Sequence, residues 1–324
     1  MTHDNDVEWS IAIFSSRETY QTLNKSILAA KTACGGKKAI IDVLVNGNKN
    51  LARQTAEFIG KTDFKGSNVG IRVWFIGLGD KAYAWNTHMH ELEPNADIAF
   101  YIDGYVWVKP NAFSLLAEGL NNDDTRLAAT GVPTQGRSAD KLRANMIENG
   151  GIHGNLVAIR GSVMHQLRAM GFKFPIGIYR GVLLLGSMLN RNLNPGVDKW
   201  DTRRILVHPE ATWGKPEETY FDPRVIKGQI KRSLRQARGF LENRSARQHI
   251  VVNQWPPREL PEYADDLIIW WAKSSKAEVI KLCARHWLCT FALYGAYRAR
   301  NNKAGQPRPK LLVEIGPLTG STDK

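Results

Sequence analysis

Asp103 closes an apolar run over residues 98–102, Lys81 stands near the start of a helical stretch, and His153 lies inside Gly150-Gly151-Ile152-His153-Gly154-Asn155. Each of these types suits a particular chemistry. A carboxylate is a preferred ligand of hard divalent cations. A lysine near helix-end N–H groups favours phosphate. An imidazole in a glycine loop lets a substrate come close and exchanges protons near neutral pH. Ser15, Ser16, Asn46 and Asn48 add small polar groups just after two further apolar runs, at 10–14 and 39–45. The combination points to a site that handles a polar, anionic ligand.

The elements that must position these residues follow an alternating pattern. Short apolar runs at 10–16, 39–45, 71–76 and 98–102 read as strands, and the stretches 18–34, 51–59 and 83–92 between them have helical spacing. Strands alternating with helices of this length predict an α/β fold with a largely parallel sheet and right-handed crossovers. In such sheets ligands bind beyond the carboxyl ends of the strands, where Ser15, Ser16, Asn46, Asn48 and Asp103 fall. After Lys109 the pattern loosens: 110–120 reads as helix, 127–132 and 156–159 as strands. Beyond Tyr220 long basic helical stretches follow, at 223–244 and 263–300, separated by Trp255-Pro256-Pro257 and Pro261. The expected division is therefore a domain over 1–220 and a helical region over 221–324, with a Pro- and Gly-containing tail from Lys303 that is extended or mobile.

Composition narrows the function classes. The 324 residues are 43% hydrophobic and 23% charged, in the range of a globular chain with a substantial core. Three scattered cysteines make neither a disulfide framework nor a CxxC zinc motif, which suits a reducing compartment. The acidic start MTHDNDVEWS is unlike a secretory signal, and no uninterrupted apolar stretch is long enough to span a bilayer. The net charge is +13, and 18 basic against 7 acidic side chains between 221 and 310 place +11 of it there. That field draws polyanions or anionic lipid toward the C-terminal region.

The segment GDKAYAWNTHMHELEPNADIAFYIDGYVWVKPNAFSLL, residues 79–116, resembles the nucleotide-sugar half of glycosyltransferase family 2, bacterial type, with the GT-A fold. The first strand with its hydroxyl loop, Val-Asn-Gly-Asn after the second strand, and a Gly-x-Leu-x-Ala-Ile-Arg element from Gly154 to Arg160 follow in the same order. The resemblance covers about residues 8–215. It implies a nucleotide-diphosphate sugar as donor, with Ser15, Ser16, Arg17 and Glu18 at the base and ribose, Asn46 where relatives have Asp, and Lys81 on phosphate. It implies Mg2+ or Mn2+ held by Asp103, with the late His208 as a second ligand; Glu210, two residues on, could instead meet a sugar hydroxyl or the acceptor.

Two positions depart from the family. The second carboxylate of its Asp-x-Asp pattern is Tyr105, and no acid occurs between Phe172 and Asn194, where the family places its catalytic base. The proton acceptor is then to be sought among Glu148, His153, Asp198 and Asp201, while Arg180, at the place of the missing acid, would bind the donor diphosphate. The resemblance implies an inverting transfer. Trp and Tyr among Lys and Arg in residues 267–297 suit an anionic membrane surface. The expected acceptor is a lipid-linked glycan or envelope glycolipid, reached from the inner face of the cytoplasmic membrane. Two other readings remain: a degenerate GT-A protein that binds a nucleotide sugar or a partner without turnover, and a nucleic-acid-binding protein, which would explain the charge but not the strand-end polar residues. No nucleic-acid partner is expected.

Overall fold

The computed structural model describes residues 7–62, 67–136, 139–216, 223–299 and 305–316, with backbone alone over 223–231. In chain order the elements are β1 (Val7–Ser15), α1 (Tyr20–Ala33), β2 (Ala39–Asn46), α2 (Lys49–Lys61), β3 (Val69–Ile76), α3 (Lys81–Thr87), β4 (Ala96–Asp103), β5 (Trp107–Val108), α4 (Ala112–Asn121) and β6 (Ala128–Pro133). There follow α5 (Ala139–Asn149), β7 (Leu156–Arg160), α6 (Gly161–Ala169), α7 (Gly181–Leu189), β8 (Ile205–Gly214), α8 (Pro223–Arg247), α9 (Ala264–Ser274), α10 (Lys276–Arg285), α11 (Leu288–Ala299) and β9 (Lys310–Ile315).

The strands form one sheet in the order β5-β8-β6-β7-β4-β1-β2-β3-β9. β1 pairs in parallel with β2 and β4, β2 with β3, and β6 with β8, while β5, β7 and β9 run against their neighbours. This is the helix-flanked, mostly parallel α/β sheet expected from the alternating pattern. β1 and β2 are buried almost throughout, as central strands covered on both faces must be. Side-chain alternation sends Ile11, Ile13, Ile41, Val43, Phe100 and Ile102 to a core with Leu23 and Ile27 of α1 and Phe113 and Leu116 of α4. The opposite alternation carries Phe14, Asp42, Arg72, Tyr101 and Asp103 on the other face, under α3.

That second face holds a charged cluster absent from the sequence reading. Asp42 is fully buried and accepts from Arg72 Nε and Nη2 and from Trp74 Nε1, each at 2.7 Å, with His88 Nε2 at 3.2 Å. Burial alone would raise the Asp42 carboxyl, but the hydrogen bonds of His88 and Arg72 and the guanidinium charge outweigh it and hold it below the ordinary range.

The chain divides into two compact units: Met1–Arg168 with Asp201–Glu217 and Gln306–Lys324, and Ala169–Trp200 with Glu218–Gly305. A single cut near residue 220 matches the crossing at 217/218 and misses the three at 168/169, 200/201 and 305/306. The expected extended tail also differs, since residues 310–315 form β9, an antiparallel edge strand on β3. The apolar alternation Leu311, Val313 and Ile315 follows directly on Pro307 and Pro309 and pairs with the free edge of β3. The helix expected over 263–300 is three helices, because Ser275 (φ −128°, ψ 48°) and His286 (φ −133°, ψ 79°) leave helical geometry. In this second unit Ala237 and Leu241 of α8 pack with Ile268, Ile269 and Trp271 of α9 and Cys289 and Ala296 of α11. Glu242 is buried there and accepts from Arg238 Nε at 2.9 Å and from the Tyr179 N–H at 2.9 Å.

Removing one partner of a buried ion pair leaves the other charge uncompensated. Asp42→Ala is expected to lower stability by about 3–5 kcal/mol in urea unfolding. Because the folded carboxyl is depressed, Asp42 stabilises above its unfolded value, near 4, and that contribution is lost as pH falls through the folded value. The Asp42→Ala variant should accordingly show a flatter acid limb than its parent.

Candidate active site

The carboxyl ends of β1, β2 and β4 converge because the register pairs Phe14 with both Leu44 and Asp103, leaving Ser15, Asn46 and Asp103 at one edge. Close backbone approaches tighten it. A Cβ on Gly104 would lie 2.7 Å from Ser15 Cβ, and the Gly104 N–H donates to the Phe14 carbonyl at 2.7 Å. A Cβ on Gly47, whose φ is +72°, would lie 2.6 Å from the Gly79 Cα, so glycine alone lets the loops after β2 and β3 meet.

Lys81 reaches this edge because α3 is fixed on the sheet. Asp80 caps the helix by accepting from the Tyr83 N–H at 2.9 Å. Trp85 stacks on Tyr101 with 3.9 Å between ring centroids and on Phe14 with 5.3 Å, and His88, in the π-type turn that continues α3, reaches Asp42. Aromatic pairs of this kind contribute about 0.5–1.5 kcal/mol beyond area burial. The first residue of α3, Lys81, thereby meets Asp103, and its ammonium donates to Asp103 Oδ1. The other oxygen, Oδ2, faces the Tyr105 hydroxyl, which lies 3.0 Å from it and 3.0 Å from Asn155 Oδ1. Burial pushes the Tyr105 phenol well up, and the Asp103 charge adds to the shift, so Tyr105 remains a hydrogen-bond donor.

The glycine loop before β7 brings His153 beside this network. Its imidazole stacks on Trp213 at 5.5 Å, the His153 backbone N–H donates to Thr130 Oγ1 at 3.3 Å, and the ring Nδ1 accepts from the Asn155 backbone N–H at 3.3 Å. Burial lowers the His153 pKa; Asp103 pulls it up, and Lys81 and Lys215 push it down. The ring is neutral at pH 7, and with Nδ1 accepting, the hydrogen-bond pattern assigns the proton to Nε2. His153 is thus arranged to donate rather than to take a proton.

The other expected residues are distributed as follows. Glu18 Oε2 accepts from Ser15 Oγ at 2.6 Å and from the Ser16 and Arg17 N–H groups at 2.7 and 2.9 Å, folding the loop back on itself. Asn48 caps α2 through Leu51 N–H and donates to the Ser16 carbonyl, so its side chain joins two loops. Asn46 is buried at the end of β2. Asp201 forms a two-pronged pair with Arg203, both bonds 2.9 Å, and hydrogen bonds from Arg203 bring its carboxyl down to about 2. A carboxylate so committed is a weak base. Arg180 begins α7 in the second unit, where its guanidinium lies 5.6 Å from the Phe240 ring centroid and its stem packs beside Gly239. Asp198 lies in the same unit, and its side chain has no partner among the described residues. Glu148 is an exposed residue of α5.

His208 is not brought to Asp103. Gly131 pairs with His208, and β7 and β6 stand between β4 and β8. Three interstrand steps of about 4.8 Å separate the two by roughly 14 Å. The His208 Nδ1 accepts from the Glu210 and Ala211 N–H groups at 3.2 Å, making a turn beside the β8 irregularity. Among the described residues no group of three His, Cys, Asp or Glu side chains could hold a metal ion. The donor set does not fit a divalent cation: Asp103 stands alone, one oxygen bonded to an ammonium and the other to a phenol. Tyr105 and Asn155 complete the network, and only position 105 carried a signal in the sequence.

No family profile matches this sequence, and no curated protein matches it significantly. Solved structures resemble it in fold. Mannosyltransferase PcManGT from Pyrobaculum calidifontis, in complex with GDP-Man and Mn2+, is 14% identical over 91% of this chain and 81% of its own, with a TM-score of 0.49. S. aureus TarS 1–349 in complex with UDP-GlcNAc is 9% identical over 91% and 92%, also at 0.49. Glucosyl-3-phosphoglycerate synthase from Mycobacterium tuberculosis, with Mn2+, UDP and glucosyl-3-phosphoglycerate, is 14% identical over 70% and 77%, at 0.43. Likeness at this level concerns the course of the backbone.

Calorimetric titration with nucleoside diphosphates tests the fit of the site. The parent's affinity is expected to change by less than about threefold when EDTA replaces Mn2+, whereas Tyr105→Asp, which restores a second carboxylate, should gain about tenfold from Mn2+, or ~1.4 kcal/mol.

Proposed function

We propose that the protein is a glycosyltransferase that moves a sugar from a nucleotide-diphosphate donor to an acceptor hydroxyl with inversion. The observation that carries this reading is the Lys81–Asp103–Tyr105–Asn155 network at the carboxyl ends of β1 and β4, beside Ser15 and Asn46. A strand-end edge with a fixed ammonium suits a diphosphate, and the neighbouring hydroxyl and amide groups suit a base and ribose. Lys81 has three donors, so it can serve a phosphate oxygen while Asp103 holds it in place. His153 Nε2–H supplies a second, neutral donor for a phosphate or sugar oxygen.

In the proposed step the acceptor oxygen bonds to the anomeric carbon as that carbon's bond to the donor phosphate oxygen breaks. The bonding pair leaves with the nucleoside diphosphate, and the hydroxyl proton passes to a carboxylate. Lys81 offsets the charge that grows on the leaving group. Asp201, bound to Arg203, and His153, whose Nδ1 is engaged by a backbone N–H, are poorly suited to take that proton. The proposed acceptor is a lipid-linked glycan or envelope glycolipid at the inner face of a bacterial cytoplasmic membrane, a reading supported by the basic helical unit. No described helix is long and apolar enough to cross a membrane. Tyr105 and the absent family acid favour, as a second reading, a nucleotide-sugar binder without turnover.

Product formation from a panel of UDP-, GDP- and CMP-sugars separates the two. Turnover by the parent is expected with at least one of these donors. Lys81→Ala should weaken nucleoside diphosphate binding by about ten- to a hundredfold, the loss of one charge-assisted bond. Selective nucleotide binding with no product from any donor would leave only the second reading standing.

A further inference from the structure

The helical unit carries a face that its own core does not use. On α11, Cys289 and Ala296 point inward to α8 and α9, while Phe291 and Tyr294 are 58% and 65% exposed, and Trp287, just before the helix, is 66% exposed. Spacings of four and three residues align the three rings in one stripe. From 273 to 299 the basic residues are Lys273, Lys276, Lys281, Arg285 and Arg298, against a single acid, Glu278. All six are exposed. Between α8 and α10 lies a recess of about 390 Å³ walled by Arg244, Lys281, Arg285 and Glu278. Its aromatic side is the stacked pair Phe240 and His286, 4.7 Å apart.

We propose that this face is a docking surface for an anionic phospholipid bilayer, with a lipid phosphate seated in the recess between Arg244, Lys281 and Arg285. Charge complementarity selects the occupant. Several cations with one acid match an anionic leaflet, and Arg and Lys around one concavity match a phosphate. Phe291 offers no polar handle to water, while the Trp287 indole and Tyr294 phenol have an apolar body and one polar edge, the form that rests at the headgroup boundary. The rings would enter the interfacial zone as the cations meet headgroups. The inference rests on the membrane-associated part of the functional reading and is independent of the donor site.

Co-sedimentation of the full chain with phosphatidylcholine vesicles, with and without phosphatidylglycerol, tests it. The parent should sediment with the phosphatidylglycerol vesicles and stay in solution with phosphatidylcholine alone. Trp287→Ser/Phe291→Ser/Tyr294→Ser should lower partitioning tenfold or more, and Lys281→Glu/Arg285→Glu should remove the response to phosphatidylglycerol. Both variants should keep the parent's thermal midpoint and nucleotide affinity. Failure of the parent to sediment, or sedimentation of both variants like the parent, overturns the proposal. A serine variant that changes the protein's mass in solution would mark a second copy as the occupant and overturn it too. So would sedimentation that ignores the charge reversal while inorganic phosphate saturates the recess. Loss of nucleotide binding in the parent with vesicle binding intact would remove the transferase reading and leave this one.

Discussion

The ion pair between Lys81 and Asp103 is the constraint on which the rest of the site depends. Asp103 ends a strand whose register is fixed by β1, and Lys81 starts a helix fixed by aromatic stacking on the same strands. The Asp103 carboxylate, only 14% exposed, needs a donor at this edge, and the Lys81 ammonium, which stays partly in water, supplies it. The pair therefore sets two things together. It holds a positive charge at the strand ends, where the proposed donor's phosphate would enter, and it engages the carboxylate that a metal would need. Tyr105 completes the arrangement by donating to the remaining oxygen and so gives Asp103 its second partner.

The face that carries this pair is stabilised by polar contacts that a less complete set of partners would turn into a penalty. Asp42 lies mid-strand in the sheet and is tolerated because Arg72 arrives from the adjacent strand in register and His88 from the turn after α3. The same contacts that neutralise Asp42 press the end of α3 onto the sheet, so stability and site geometry come from one cluster. The helical unit uses a comparable device: Glu242 is buried, answered by Arg238, and its carboxylate captures the N–H groups of Tyr179 and Arg180 at the start of α7.

The outlying expectations fail for reasons of topology. His208 follows an apolar run, as a ligand-edge residue would, but its strand lies three positions from β4, and chain order carries no information about that separation. Asn48 and Glu18 stand where ligand-contacting groups belong, yet their side chains cap a helix and close a loop, roles that polar residues at strand-to-helix turns readily take. β9 was hidden because six residues of weak alternation acquire meaning only when β3 offers an unpaired edge.

Sequence alone determined the alternation of strands and helices, the ligand edge at which Ser15, Asn46 and Asp103 emerge, and the concentration of positive charge beyond residue 220. These are local matters, since hydrophobic period, strand-end polarity and charge are written residue by residue. Tertiary structure decided that Lys81 faces Asp103, that Tyr105 and Asn155 close the network, that Asp42 is buried and answered, and that the aromatic residues of α11 point away from the core. Each of those is a distance between side chains far apart in the chain, fixed by strand register and by which helix face the core claims, and no local pattern encodes it.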